Sequence, residues 1–288
     1  MWQRLHRSWS VRLGGTALVV LVIIALAAPW LGTVDPSLFD AGSRDLLPGK
    51  AGEITTLEGD TLQHKFLMGS DSFGRDIYSR VIYGTRVSLI VGLFTALVAL
   101  AFGIAFGLSA GYLRWLDGIL MRVMDGVMAI PAILIAIALV ALWGASLATV
   151  IAAIAVPEIP RVTRLVRSLV LTIREEPYVE AAIALGTPTL KIMFGHILPN
   201  TIAPLIVQGT FICANGILIE AILSFLGVGL PPDIPTWGNI MAEGRVQFIE
   251  FPHNVFFPGV FLAVTVLAVN ILGDGLRDTL DPKMAKRV

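Results

Sequence analysis

Six stretches of the chain are almost uninterrupted in apolar residues: 13–31, 87–110, 119–143, 147–166, 202–228 and 255–276. Crossing the hydrocarbon of a bilayer takes a helix of about 20 residues. The pattern therefore predicts an all-α fold of about six transmembrane helices. The fourth stretch is the weakest, because Pro157, Glu158, Ile159 and Pro160 interrupt a short apolar core. Arg161, Arg164 and Arg167 then follow at helical spacing, suited to snorkel to a membrane surface, and Glu158 lies one turn from Arg161. In the second stretch Gly103, Gly107 and Gly111 recur every four residues, a spacing that lets another helix approach closely.

Two regions break the apolar pattern. Residues 32–86 are polar, of mixed charge and punctuated by Gly and Pro, long enough for a small extramembrane segment. The other is the stretch 176–199, which reads as a helical hairpin. Pro177 suits a first helical position, where its missing N–H costs nothing. Glu175, Glu176 and Glu180 gather at that end, where the helix dipole favours negative charge. Gly186 is placed to close the helix in a left-handed conformation. Thr187 and Pro188 read as N-cap and first residue of a second short helix. Within it Leu190, Met193, Phe194 and Ile197 form one apolar stripe, and Pro199 precedes the next apolar run.

Composition agrees with the pattern. Of 288 residues, 56% are hydrophobic and only 15% charged, against about 25% charge in soluble domains. Lys plus Arg and Asp plus Glu are both 21, so no charge excess points to nucleic acid. Cys213 is alone in an apolar run, which excludes a disulfide framework and a cysteine metal site. Ala25, Leu26 and Ala27 imitate a signal-peptide cleavage site. The run before them is long for a signal peptide, so the reading is an uncleaved anchor.

Orientation follows from the basic residues. With the N-terminus inside, two-thirds of the 21 Lys and Arg lie on inner segments, including Arg161, Arg164, Arg167, Arg174 and Lys191. Most of the outer ones fall in or beside the one long loop, where the rule is weaker. Both termini and the 176–199 hairpin are thus expected in the cytoplasm.

No catalytic pair or metal site emerges. His6, His64, His196 and His253 are scattered outside the apolar cores. Gly107, Leu108, Ser109, Ala110 and Gly111 match a nucleophile elbow literally, yet end an apolar helix where a strand–turn–helix is needed. No Gly-x-x-x-x-Gly-Lys loop is present to cradle phosphates. Asp125 and Glu220 are carboxylates within or at the edge of spans, and such groups face a cavity or a partner. A proton relay through Glu220, Asp125 and Glu158 is the rival reading, but no internal repeat accompanies it.

Glu180, Ala181 and Ala182, followed by Gly186, Leu198 and Pro199, resemble the "EAA" loop of ABC-importer permease subunits. Met68–Arg80, with Gly69, Ser70, Asp71, Gly74, Arg75, Asp76 and Arg80, is similar to a segment of the oligopeptide/dipeptide/nickel branch, C-type subunit. Ser70 stands where Thr is usual. The residues 223–232, Trp237-Gly-Asn, 242–245 and 272–282 extend the likeness to nearly the whole chain. Gly195 departs from many relatives, which carry a basic residue there.

The resemblance implies a multi-pass permease of the bacterial cytoplasmic membrane. Its parts would be a 1–12 N-terminus, a first helix over 13–31, and an extracytoplasmic segment over 32–86. The permease domain would cover 87–277 with a coupling loop over 167–200, and a cytoplasmic end would cover 278–288. It also implies ATPase-coupling roles for Glu180, Ala181, Ala182, Gly186, Leu190, Phe194, Leu198 and Pro199. The implied partners are a second permease, two ATPase subunits holding ATP and Mg, an extracytoplasmic solute-binding protein and membrane lipid. Short peptides are the implied solute, with nickel chelates or another small solute as alternatives. Asp71, Arg75, Asp76 and Arg80 are expected to form a salt-bridged turn before a helix.

Overall fold

The computed structural model describes residues 8–56 and 59–280. It is dominated by helices, as the apolar pattern requires. Helix α1 (Trp9–Ala27) starts from Ser8, whose side chain caps the amide of Val11. It leans on the last helix, α9 (His253–Leu280). At Gly14 a Cβ would lie 2.6 Å from the Leu272 nitrogen, so only glycine permits that approach.

Helix α2 (Ile77–Tyr112) begins ten residues before the apolar stretch at 87, because Asp76 caps it through the Ser79 amide. It packs against α5 (Leu147–Ile173) along the predicted glycine seam. Gly103, Gly107 and Gly111 face Val162, Val166 and Val170 in turn, one pair per four residues. These valines belong to a buried cluster with Leu108, Ile192, Met193, Ile197 and Ile212.

The third apolar stretch is not one straight helix. It is α3 (Arg114–Met128) and α4 (Ala132–Trp143), bent by 88° at the break. Pro131 disfavours helical backbone at Ile130, so the chain turns there. The fourth stretch is a single helix that extends beyond its expected end at 166. Helix α5 runs unbroken through Pro157 and Pro160 to Ile173. It stays helical although Pro157 and Pro160 each lack an N–H donor, and it packs on α2. Among the described residues four helices are long and apolar enough to cross a membrane, and the bent pair is a fifth candidate. Helix α5 has the length but carries Glu158, Arg161, Arg164 and Arg167.

Residues 32–76 hold a small antiparallel hairpin, β1 (Lys50–Thr55) with β2 (Thr61–Phe66), which the hydropathy pattern does not predict. Ser43 Oγ pins it by bonding both the amide and the carbonyl of Glu53, at 2.8 and 2.7 Å. Beyond α5 lie α6 (Pro177–Ala184), α7 (Thr189–Phe225) and the short α8 (Trp237–Gly244).

Candidate coupling site

The hairpin elbow is built as the local sequence demands. Glu176 is the N-cap and Pro177 the first helical residue of α6. At its other end the Thr187 amide bonds the Ala182 carbonyl at 3.1 Å and the Gly186 amide bonds the Ile183 carbonyl at 2.9 Å. This paired closure needs a left-handed residue between them, and Gly186 has φ +75°.

Past the elbow the chain departs from the expected second short helix. The N-cap is Pro188, one residue later than Thr187, and helix then continues from Thr189 through to Phe225. Between Met193 and Ile197 it widens into a π turn, with the Leu198 amide bonded to the Met193 carbonyl. Pro199 has no N–H for the Gly195 carbonyl, and its ring crowds that carbonyl, so the turn opens. The predicted single stripe therefore splits. Met193 and Ile197 are buried, whereas Leu190 is 67% and Phe194 58% exposed.

The elbow has two faces of different character. Val179 and Ala182 are buried and seat α6 against Ile192, Met193 and the α5 valines. On the outer face Ala181, Gly186, Leu190, Phe194, Pro199 and Glu180 are exposed, and Leu198 is half-buried. Leu185 at the tip is 86% exposed. The outer face is thus mostly apolar and open, while the inner face is packed. A Cβ built on Gly195 meets nothing within 4 Å, so this part of the face is open.

The carboxylates singled out from the sequence are not hydrogen-bonded to one another. Asp125 reaches across from α3 to Arg164 of α5 at 2.5 Å. Glu220 is fully buried in α7 and accepts the Ser224 hydroxyl at 2.8 Å. Glu158 is buried in α5 and bonds Asn215 at 2.8 Å and Arg161 at 3.4 Å. Each carboxylate thus has its own partner. The α5 arginines are likewise tied to carboxylates rather than simply snorkelling, since Arg167 grips Asp117 at 2.5 and 2.7 Å. Gly107 to Gly111 lies inside helix α2, without the strand a nucleophile elbow requires.

A second constellation gathers the remaining motifs into one corner. Asp71 Oδ1 caps the amides of Phe73 and Arg75, both at 2.9 Å. Its Oδ2 accepts from Arg75 Nε at 2.7 Å and Arg80 Nη1 at 2.8 Å. Both arginines also bind Glu243 of α8, a partner that sequence spacing does not identify. Trp237 Nε1 donates to the Val81 carbonyl at 3.2 Å, and Asn239 clamps the carbonyls of Leu230, Pro231 and Ile234. The 68–80 turn is therefore salt-bridged through Asp71, Arg75 and Arg80 as expected, while Asp76 stands outside that network as the cap of α2. Arg80 is 1% exposed and available to no solute. Burial raises the Glu243 carboxyl above its ordinary value, and the two arginines counter it.

Among the described residues no group of three or more His, Cys, Asp or Glu is placed to hold a metal, and the long apolar helices form the bundle that carries the elbow. Residues 99–286 match the family of binding-protein-dependent transport system inner membrane components, and the chain belongs to it. Among its relatives is a "Probable peptide ABC transporter permease protein" of Sinorhizobium fredii. It is 49% identical over 277 residues, which cover 96% of this chain and 90% of that protein. A di/tripeptide transport system permease protein of Pseudomonas aeruginosa is 42% identical over 274 residues, covering 94% and 88%. A glutathione transport system permease protein of Escherichia coli is 38% identical over 285 residues, covering 98% and 89%. The chain is an ABC-importer permease, a membrane transport subunit and not an enzyme.

Proposed function

We propose that this chain forms half of the solute path of an ATP-driven importer of short peptides. A second, similar permease supplies the other half. Two cytoplasmic ATPases bind and hydrolyse ATP with Mg, and an extracytoplasmic binding protein delivers the solute. The observation that carries the coupling role is the elbow itself. Leu185, Leu190 and Phe194 project from a helix pair whose inner face is locked into the bundle by Val179, Ala182, Met193 and Ile197. Through that packed inner face a push on the outer face reaches α5 and α7. Peptides are favoured over nickel chelates because relatives that cover nearly the whole chain are described as peptide or glutathione permeases.

Both termini and the elbow are assigned to the cytoplasm, and the 32–86 segment to the opposite side. Reporter fusions test this directly. Fusions at Thr187 and after Met284 should report cytoplasm, and fusions at Gly52 and Asp233 the extracytoplasmic side. An extracytoplasmic signal at Thr187 would overturn the coupling role. Residues 281–288, including Met284, lie outside the described part of the chain, as do 1–7.

A further inference from the structure

Helix α5 falls short as an apolar span because of its charged residues, and these do not all behave alike. Arg164 and Arg167 find carboxylates on α3. Glu158 and Arg161 instead line a cavity of about 270 Å³ with Gln208, Phe211 and Asn215 of α7 and Asn270 of α9. Glu158 follows the Leu147 start of α5 by 11 residues, about 16 Å of helix, or about half the thickness of a bilayer's hydrocarbon core. An ionisable pair there faces a water-filled cavity or a partner, not lipid.

The pair is asymmetric. Glu158 is 2% exposed and held by the Asn215 amide at 2.8 Å. Arg161 has a side chain 57% exposed, and its Nη1 alone turns to Glu158, at 3.4 Å from both oxygens. Its Nε and Nη2 have no hydrogen-bond acceptor among the described residues. In Arg167 that same edge grips the two oxygens of Asp117 at 2.5 and 2.7 Å. A guanidinium drawn toward a buried carboxylate on one side leaves its other edge free as a fork for a second carboxylate. A wider groove of about 540 Å³ shares Gln208 and Phe211 with this cavity and leads to Arg277.

We propose that Arg161, oriented by Glu158 and Asn215, is a carboxylate-binding point in the solute path, receiving the C-terminal carboxylate of a short peptide. This rests on the reading of the chain as half of a peptide path.

The test uses the complete importer in proteoliposomes, with Cys213→Ala and Gln208→Cys placing one thiol beside Arg161. A small anionic methanethiosulfonate should label that thiol. L-alanyl-L-alanine at about tenfold its Kd should slow labelling by about tenfold, while L-alanyl-L-alaninamide at the same concentration should not. Adding Arg161→Gln should abolish the protection, with the ATPases still bound, and Arg161→Lys should restore part of it. An unreactive thiol would assign this face to subunit or lipid contact and sink the inference. Equal protection by the amide, or protection surviving Arg161→Gln, would sink it too. Wild-type importer that takes up no dipeptide would instead bring down the peptide reading, and this inference with it.

Discussion

Replacing Gly186 by Val isolates the elbow from the rest of the molecule. A Cβ built on Gly186 meets nothing within 4 Å, so the substitution creates no clash with any neighbour. Its whole effect comes from the backbone, which sits at φ +75°. An L-residue there costs about 1–2 kcal/mol, and β-branching places Val at the upper end or beyond. The helices on either side are anchored by Val179 and Met193, so the strain stays in the turn. An undocked elbow can fray to release it, whereas a docked one must keep the turn closed. The strain therefore falls on docking, and about 1.4 kcal/mol is tenfold in affinity. Gly186→Val is expected to weaken ATPase binding by about ten- to thirtyfold while membrane levels of the permease stay normal. The assay is retention of the ATPases on a tagged permease during purification in mild detergent, with solute uptake measured in parallel. Gly186→Asn supplies the control, because Asn tolerates the left-handed region and should behave almost as wild type. Full ATPase retention and normal uptake in the Val variant would refute the reasoning, as would equal damage from Asn.

Two further outcomes rest on burial. At Gly107 a Cβ would lie 2.5 Å from Val166 Cβ and 2.8 Å from the Thr163 carbonyl, about 1 Å inside normal contact, so Gly107→Leu should cost about 1–3 kcal/mol or more and lower the melting temperature in detergent. Gly118→Ala, with nothing within 4 Å, should leave it unchanged or slightly raised. Burial also raises the Asp76 carboxyl above its ordinary value. The folded state therefore binds the proton more tightly than the unfolded one, and stability from this group falls as pH rises through the raised value. Asp76→Asn keeps the helix cap and removes the buried charge, so its melting temperature at neutral pH should be no lower than wild type, with a flatter pH profile. A large drop would show that the charge is needed, with His64 at 3.6 Å its counter-ion.

Much of this architecture was written in local pattern. Runs of apolar residues set the helical class, since a bilayer leaves a spanning chain few other ways to satisfy its backbone. Pro177 and Gly186 marked the two ends of α6 because each acts through its own φ angle, which neighbours in space do not alter. The glycine spacing at 103, 107 and 111 announced a close approach without naming the approaching helix.

Other features were decided only by packing. Helix α5 keeps its course through Pro157 and Pro160 where its valines pack on α2, whereas the chain bends by 88° at Ile130 and Pro131. The stripe through Leu190 to Ile197 has the regular helical period in sequence, and the π turn forced by Pro199 shifted its register, turning Phe194 out and Met193 in. Asp71, Arg75 and Arg80 were legible as a salt-bridged turn from their neighbours in sequence. Glu243 lies 163 residues beyond Arg80. Nothing in a one-dimensional pattern fixes so distant a pairing, because it depends on where α8 comes to rest against α2. The same holds for Arg161: its charge is visible in the sequence, but which edge of its guanidinium is left free depends on Glu158, which Asn215 of α7 holds.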